Sequence, residues 1–262
     1  MSDFDGTIAN SDLTYSNVVR DAIRIFVKKG FSFSIASGRP YFGIIKQACE
    51  DLGLTSPQIV SGGSAIIIPK TGEYIWKQPI EQKMAKALIS LFLRKDYKFG
   101  LENENYVFTP NGMEFEAYGP NVDFCDIKSY DFKTPLKIVL LDANSDNLYE
   151  VGDEIANQYP ELHLVRGGVH IERSVIDITS QKGTKHLATL ELQKILKIDK
   201  NRTIGIGDGY NDYPLLTACG YKVAMGNAAS ELKEIADLVV ADVKHDGLVE
   251  VIYKLIPAKL AQ

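Results

Sequence analysis

The stretch FSFSIASGRP, residues 31 to 40, decides the fold class of this chain. Its first six residues form a run of strand length, and the turn-forming Ser-Gly-Arg-Pro of residues 37–40 then breaks the run. A short run that ends in this way is typical of a buried strand leading into a loop at the edge of a sheet. We therefore predict a buried strand over residues 31–36.

Helices are predicted on both sides of this strand. Residues 17–29 have helical periodicity and follow Ser16, a residue type that caps helix N-termini, and Gly30 is placed to end the helix. A second helix is predicted over residues 41–52. The buried face of the first helix is predicted to carry Val18, Ala22, Ile25 and Phe26.

Alternation of strands and helices continues on both sides of the middle of the chain. Strands at 58–60 and 65–68 complete a β-α-β-α-β order, which predicts a parallel sheet with right-handed crossovers. The same pattern returns with a helix over 183–197 and a strand over 203–206. The fold class is therefore predicted as α/β, with a Rossmann-like parallel sheet.

The middle of the chain differs from its two ends. Residues 69–181 are richer in aromatic residues and combine predicted hairpins with helices over 81–95 and 146–158. This pattern predicts a separate α+β module inserted into a core made of residues 1–68 and 182–262.

Composition excludes several classes of partner. The net charge is −5 with acidic and basic residues interspersed, so no basic face for a nucleic acid is expected. The apolar runs are too short to span a bilayer and no leader segment is recognised, which excludes a membrane partner. The three cysteines form no CxxC pair, and we expect free thiols in a cytoplasmic protein of unknown oligomeric state.

Four short segments carry residue types suited to phosphate chemistry. The first is DFDGTI, residues 3 to 8, in which Asp3 and Asp5 lie two residues apart before a glycine. One carboxylate can attack phosphorus, and its neighbour can protonate the leaving oxygen and later deprotonate water. Gly6 would allow backbone N–H groups to approach a phosphate. An ordinary acidic turn is the alternative for this segment alone.

The second and third segments supply candidate phosphate ligands. Ser37 and Gly38 follow the predicted strand, where a hydroxyl and backbone N–H groups could hold a phosphoryl oxygen. Lys182, at the start of a predicted helix, opposes the helix dipole and could neutralise phosphoryl charge. A helix cap and a solvated surface lysine are the respective alternatives.

The fourth segment is GIGDGYND, residues 205 to 212, in which a strand leads into Asp208, Asn211 and Asp212. Carboxylate oxygens at this spacing suit Mg²⁺, which proteins hold through one or two carboxylates together with water and substrate phosphate. The glycines do not match a dinucleotide fingerprint, and an Asp-rich turn is the alternative.

Taken in order, these segments resemble the haloacid dehalogenase superfamily of phosphohydrolases, in particular its Cof-type branch. The resemblance implies that Asp3 is the nucleophile and Asp5 the general acid and base. It further implies that Mg²⁺ is bound by Asp3, Asp5, Asp208 and Asp212. The implied phosphate ligands are Ser37, Gly38, Lys182 and Asn211, and the inserted module, residues 69–181, corresponds to a large α/β cap. In the family a full strand precedes the first Asp, whereas only two residues do so here, so either that strand is truncated or the natural start lies upstream.

The cap of such an enzyme decides which ester enters. A polar group near Gly167 and Gly168 is predicted to contact the leaving group, and it comprises Arg166, His170, Glu172 and Arg173. A solvated hairpin is the alternative.

Three functions remain open from the sequence. The first is Mg²⁺-dependent hydrolysis of a small phosphate monoester, such as a sugar phosphate or phosphoglycolate, through an aspartyl-phosphate. The second is a phosphotransferase or phosphomutase of the phosphomannomutase type on the same scaffold. The third is a non-catalytic protein that binds a phosphorylated ligand.

Overall fold

The computed structural model describes residues 1–142, 145–167 and 174–259. The helices of this part of the chain are α1 (Asn17–Lys28), α2 (Lys46–Leu52), α3 (Gln82–Arg94), α4 (Ser145–Gln158), α5 (Lys185–Leu196), α6 (Tyr213–Ala218), α7 (Ser230–Ile235) and α8 (Gly247–Lys259). Its strands are β1 (Gln58–Val60), β2 (Ala65–Ile68), β3 (Glu73–Lys77), β4 (Lys98–Glu102), β5 (Val107–Thr109), β6 (Phe124–Asp126), β7 (Lys137–Asp142), β8 (Leu162–Gly167), β9 (Ser174–Ser180), β10 (Ile204–Gly207), β11 (Tyr221–Ala224) and β12 (Leu238–Val239).

The first residues of the chain lie in the middle of a parallel core sheet. Ser2 pairs in parallel with Ile35 on one side and with Ile206 of β10 on the other. The sheet continues outward from Ile35 through a bridge between Ala36 and Ile59 of β1, and from β10 through the parallel strands β11 and β12. The predicted α/β class with a parallel core is therefore confirmed, and the short N-terminal segment provides its central pairing.

The segment after β1 departs from the predicted parallel order. β2 runs antiparallel to β1, and β3 runs antiparallel to β2. The turn over residues 61–63 reverses the chain because two of its glycines take positive φ, +72° at Gly62 and +100° at Gly63. Trp76 of β3 packs in an apolar cluster with core residues of α5 and α6. Residues 73–77 therefore lie with the core, and we propose that the inserted module, which we call the cap, begins near Gln78 rather than at residue 69.

The first two helices are present, but the buried face of one and the starting residue of the other differ from the prediction. Ser16 caps α1 as expected, since its Oγ accepts a hydrogen bond from Val19 N at 3.1 Å. The buried face of α1 carries Val19, Ala22 and Ile23, whereas the predicted Val18 and Ile25 are exposed. The prediction of that face was therefore right for Ala22 and wrong for Val18 and Ile25, while Phe26 is partly buried against the core.

The second helix begins later than predicted because of contact with the cap. Gly43 has φ +80°, and a Cβ at this position would lie 2.9 Å from Val122 Cγ2 and 3.2 Å from the Pro120 carbonyl oxygen. The chain straightens at Phe42 (φ −64°, ψ 157°) to allow this approach, so regular helix starts only at Lys46.

The cap is a six-stranded sheet in the order β6-β5-β4-β7-β9-β8, with α3 and α4 packed on one face. Ile138, Leu140, Ile176 and Ile178 of β7 and β9 point to these helices. Because side chains alternate along a strand, the neighbouring Lys137 and Asp177 point the other way, toward the core. Residues from this second face contact the core loop at Gly38.

Other expectations from composition concern membranes and cysteines. No helix in the described part of the chain is long and apolar enough to cross a membrane. Cys49, Cys125 and Cys219 are free thiols, and Cys49 and Cys219 are buried.

The approach of the 61–63 turn to the start of α5 can be tested with a matched pair of glycines. A Cβ at Gly63 would lie 2.2 Å from the carbonyl carbon of Thr184, whereas at Gly72 (φ +70°) it would meet nothing within 4 Å. Both Ala substitutions strain a positive φ, by about 1 kcal/mol. We expect Gly72→Ala to lower the free energy of unfolding only by that amount. Gly63→Ala should lower it by at least about 3 kcal/mol, because the backbone of α5 must shift. Urea unfolding of both variants measures the difference, and equal losses would contradict the described contact.

Candidate active site

Three loops of the core end at the same edge of the parallel sheet. Asp3 directly follows Ser2, Ser37 directly follows Ala36, and Asp208 directly follows β10. Because neighbouring parallel strands point their carboxyl ends the same way, these loops meet at one edge, the usual ligand position of open α/β sheets.

A group of buried carboxylates occupies this edge. One oxygen from each of Asp3, Asp208 and Asp212 lies within 4.8 Å of the others. Asp3 is 3% exposed, Asp208 6% and Asp212 0%. The structure thus brings together the acidic loops from opposite ends of the chain, as the sequence predicts.

A buried lysine joins two of these carboxylates. Lys185 Nζ donates to Asp3 Oδ1 at 2.6 Å and to Asp212 Oδ1 at 2.7 Å. Burial alone would lower the pKa of Lys185, but the attraction of Asp212 and Asp3 outweighs it and the pKa is raised. The ammonium therefore stays charged across the ordinary pH range.

This lysine is not the one predicted. Lys182 is exposed in the turn after β9, where its backbone N–H bonds Ser180 Oγ at 3.3 Å. Thr184, not an earlier residue, caps α5 by accepting a hydrogen bond from Leu187 N. Lys185 is consequently the first helical residue, and side chains on a helix lean toward its N-terminus, here toward the sheet edge. The placement of Lys182 in the site was therefore wrong, by three residues.

The carboxylates of the site titrate unusually. Burial and the charge of Asp212 raise the pKa of Asp3 well above its usual range, an effect that Lys185 only partly opposes. Burial, followed by the charge of Asp212, raises the pKa of Asp208 to about 7. Three carboxylates against one ammonium leave two uncompensated negative charges when all are ionised, which explains the direction of both shifts.

Asp208 is held by a local set of donors. Its Oδ1 accepts from Thr7 Oγ1 at 2.9 Å, and its Oδ2 accepts from Asn227 Nδ2 at 3.1 Å. The same Asn227 amide donates to the Gly6 carbonyl at 2.9 Å. Gly6 has φ +78°, and a Cβ there would lie 2.3 Å from Asp208 Oδ2, so only glycine permits the two acidic loops to meet.

Asp212 is more fully engaged than its neighbours. Its Oδ2 accepts from the backbone N–H groups of Asp208 and Gly209, both at 3.0 Å, while Oδ1 accepts from Lys185. The carboxylate thus holds the loop after β10 and the ammonium of Lys185 in place. It also lies close enough to Asp3 and Asp208 to share a bound cation with them.

Asp5 faces a cation rather than the other carboxylates. Arg39 Nε lies 2.9 Å from each oxygen of Asp5, and a second guanidinium nitrogen lies 2.8 Å from Oδ1. Arg39 also donates to the carbonyl oxygen of Tyr118 in the cap at 3.0 Å. One guanidinium therefore links the candidate acid–base residue to the cap.

The remaining predicted phosphate ligands lie around this edge. Ser37 is buried, and its Oγ accepts from Arg39 N at 3.0 Å. The carbonyl oxygen of Gly38 accepts from Lys137 of the cap at 2.6 Å. Asn211 is exposed in the turn that leads to Asp212. Their contact with a phosphate remains a prediction.

The predicted cap residues fare differently. Arg166 pairs in register with Ile176, which points to the helices of the cap, and it forms an ion pair with Asp153 of α4. Arg166 therefore lies on the face away from the core, and its predicted contact with the leaving group is wrong, because strand alternation turns it outward. His170, Glu172 and Arg173 lie outside the described residues.

The donor set fits a divalent cation. Buried carboxylate oxygens are the hard ligands that such ions prefer, and an ion of charge +2 would balance the two excess negative charges. Asp3 and Asp208 are the clearest ligands, and Asp212 lies within the same group. The arrangement can therefore hold a metal ion beside the carboxylate of Asp3.

Four contributors to this site were missed from the sequence as site residues, and these are Thr7, Arg39, Lys185 and Asn227. Lys185 could have been found from Thr184, a good N-cap residue directly before it. Thr7 belongs to the DFDGTI segment itself.

Comparisons with known proteins agree with the site. Residues 1–252 match the family described as haloacid dehalogenase-like hydrolase. Phosphatase YwpJ of Bacillus subtilis is 25% identical over 97% of this chain and 98% of its own length. The 5-amino-6-(5-phospho-D-ribitylamino)uracil phosphatase YwtE of the same organism is 25% identical over 99% of this chain and 98% of its own length. The crystal structure of a haloacid dehalogenase-like hydrolase from Bacteroides thetaiotaomicron has a TM-score of 0.85 at 22% identity, with 97% of each chain covered.

The role of Lys185 in neutralising buried charge can be tested against Lys182. Lys185→Met leaves Asp3 and Asp212 buried without a counter-charge. In metal-free buffer containing EDTA at neutral pH, we therefore expect the free energy of unfolding to fall by about 3 kcal/mol or more. Lys182→Met removes an exposed charge and is expected to change the free energy of unfolding by less than about 0.5 kcal/mol. Urea unfolding measures both. Equal effects of the two substitutions would contradict the assignment.

The raised pKa of Asp208 predicts a pH dependence of metal binding. In the metal-free protein the folded state binds a proton more tightly than the unfolded state, so stability falls as pH rises from about 4 to about 7. A metal must displace that proton, so the stabilisation by added Mg²⁺ grows over the same range and levels off above about pH 7. Thermal unfolding with and without Mg²⁺ measures it. We expect Asp208→Asn to lose most of the response, and a pH-independent response would count against the site.

Proposed function

Because this chain is a phosphatase of the haloacid dehalogenase-like hydrolase family, we propose that it hydrolyses a small phosphate monoester through an aspartyl-phosphate on Asp3, with Mg²⁺ as cofactor. The observation that supports this proposal is the buried position of Asp3 between Lys185 and Asp208. The ammonium of Lys185 neutralises part of the negative charge on Asp3, and a bound cation would reduce the repulsion between this carboxylate and a phosphoryl group. A carboxylate in this position is therefore suited to nucleophilic catalysis.

The metal would be held by the carboxylates of Asp3 and Asp208, with the Asp5 backbone carbonyl and Asp212 as further candidates. Mg²⁺ in such a site supplies positive charge to the phosphoryl oxygens and so weakens their repulsion of the attacking carboxylate. The protein contributes the remaining positive charge through Lys185, and Ser37 offers a hydroxyl at the same sheet edge.

In the first chemical step Asp3 attacks phosphorus. A bond forms between a carboxylate oxygen of Asp3 and phosphorus, and the bond between phosphorus and the ester oxygen breaks. The departing oxygen takes a proton from the Asp5 carboxyl group and leaves as the alcohol, and Asp5 becomes a carboxylate. Lys185, already fixed on Asp3 Oδ1, orients the nucleophile and counters the charge of the phosphoryl group.

In the second step water hydrolyses the acyl phosphate. Asp5, now ionised, takes a proton from the water as its oxygen attacks phosphorus. The bond between phosphorus and Asp3 breaks, inorganic phosphate leaves, and both carboxyl groups return to their starting protonation states. Arg39, whose guanidinium contacts both oxygens of Asp5, favours the ionised form of Asp5 that acts as the base in this step.

The substrate is proposed to be a small phosphorylated metabolite. The cap contacts the loop of Ser37 to Arg39 directly, which leaves room for a compact ester rather than for a macromolecule. The relative YwtE is named for a phosphate ester with a ribityl chain, a small molecule of this kind.

The free thiols suit a reducing, cytoplasmic compartment.

The nucleophile is tested by Asp3→Asn. We expect release of inorganic phosphate from p-nitrophenyl phosphate to fall by at least about 10³-fold, because the amide cannot form the acyl phosphate. The fold should be retained, since an uncharged side chain suits this buried position. The matched control is Asp21→Asn at an exposed position, with unchanged turnover expected. EDTA should silence the wild type.

Turnover of Asp3→Asn at the wild-type rate, with deamidation excluded by mass spectrometry, would overturn the mechanism. Acid quenching of the wild type during turnover should also yield a phosphorylated peptide containing Asp3. A product that keeps its phosphate at a new position, in place of released phosphate, would indicate a mutase instead.

A further inference from the structure

A second cluster of buried charges lies where the cap meets the core. Lys137 Nζ is 2.6 Å from the carbonyl oxygen of Gly38, 3.0 Å from Glu102 Oε1 and 3.3 Å from Asp177 Oδ2. The side chains of Lys137 and Glu102 are 5% and 0% exposed, whereas that of Asp177 is 26% exposed. Burial opposes the charge on Lys137, yet its two acidic partners prevail and raise its pKa, so the cluster carries a net charge of −1 when all three groups are ionised.

The Glu102 carboxylate lies among polar side chains. Lys137 is its ion-pair partner, and the hydroxyls of Ser61 and Tyr118 lie beside the same carboxylate. The buried hydroxyl of Thr179 on β9 has no hydrogen-bond partner among the described residues.

The cluster adjoins the core loop that contains Ser37, Gly38 and Arg39. Gly38, which accepts from Lys137, lies between Ser37 and Arg39 in one loop. Arg39 in turn holds Asp5, the group that protonates the departing oxygen. Asp177 Oδ2 would lie 3.7 Å from a Cβ at Gly38, so its partly exposed carboxylate stands over this loop.

We propose that Asp177, backed by Glu102 and Lys137, selects phosphate esters whose leaving group is uncharged or aminated and rich in hydroxyls, and that it rejects leaving groups that carry a carboxylate or a second phosphate. This inference rests on the proposed function of the Asp3 site and assigns to it a class of substrate.

The selection follows from charge and hydrogen-bond chemistry. A carboxylate accepts hydrogen bonds from hydroxyl or ammonium donors and offers no donor of its own. A negatively charged leaving group would be repelled by the Asp177 carboxylate, whose side chain is only 26% exposed, so that solvent screens the repulsion incompletely. Lys137 does not reverse this, because its three donor positions already face Gly38, Glu102 and Asp177. Lys137 therefore acts as a positioning residue that fixes the direction of the Asp177 carboxylate.

The test compares two esters that differ in leaving-group charge. For the purified full-length protein with Mg²⁺, kcat/KM is measured for glucose 6-phosphate, whose leaving group is neutral and hydroxylated, and for phosphoglycolate, whose leaving group carries a carboxylate. We expect the wild type to favour the sugar ester by at least about tenfold. Asp177→Asn, which keeps the shape and one acceptor but removes the charge, should reduce this preference about tenfold, mainly through the KM for phosphoglycolate.

Controls separate charge selection from general damage. Asp153→Asn, on the outer face of the cap beside Arg166, removes one acidic charge far from Gly38 and should leave the preference unchanged. Glu102→Gln gives a second variant for the case that Asp177→Asn folds poorly, and it should shift the preference in the same direction. Circular dichroism confirms folding of each variant.

The outcomes are distinguishable from those for the proposed function. If p-nitrophenyl phosphate is not hydrolysed by the wild type, the proposed function itself fails. If that ester is hydrolysed but the wild type handles phosphoglycolate as well as the sugar phosphate, the inference is overturned whatever the variants show. An unchanged preference in folded Asp177→Asn and Glu102→Gln would likewise sink it.

Discussion

The ammonium of Lys185 between Asp3 and Asp212 is the interaction on which the rest of the site depends. It joins a loop at the start of the chain to a loop more than two hundred residues later, and it does so in a place that water scarcely reaches. Without it, three carboxylates would face one another in a medium of low dielectric constant, where mutual repulsion is strong. The parallel sheet supplies the geometry, because Ser2 lies between the strands that lead to Ser37 and to Asp208.

Much of this arrangement could be predicted from the sequence. Strand-length runs that end in polar or small residues predicted β1, β2 and β10, whereas the strand predicted over residues 31–36 is present only as single bridges at Ile35 and Ala36. A rule about parallel sheets was then enough to expect Asp3 and Asp208 at one edge. The wrong prediction of Lys182 shows what a local sequence pattern does not determine. A helix boundary is uncertain by a few residues, and one helical turn separates a solvated side chain from a buried one. Thr184, a residue type that caps helix N-termini, begins α5 and decides the matter in favour of Lys185.

The contacts between the cap and the core could not be predicted in the same way. The contact of Arg39 with Tyr118 and that of Lys137 with Gly38 join residues 79 and 99 positions apart, and no local pattern marks them. They arise from the register of strands and from how two separately folded sheets meet. The antiparallel turn after β1 is a similar case, since periodicity predicts that a strand exists but not which way it runs.

Two hydrogen bonds from a cationic side chain to a carbonyl oxygen connect the cap and the core, and each part donates one of them. Lys137 of the cap reaches a carbonyl oxygen of the core at Gly38, and Arg39 of the core reaches a carbonyl oxygen of the cap at Tyr118. Each cation would lose a partner if the two surfaces separated. Movement of the cap away from the core would therefore break both hydrogen bonds, and water would have to replace the two carbonyl oxygens as the partners of Lys137 and Arg39.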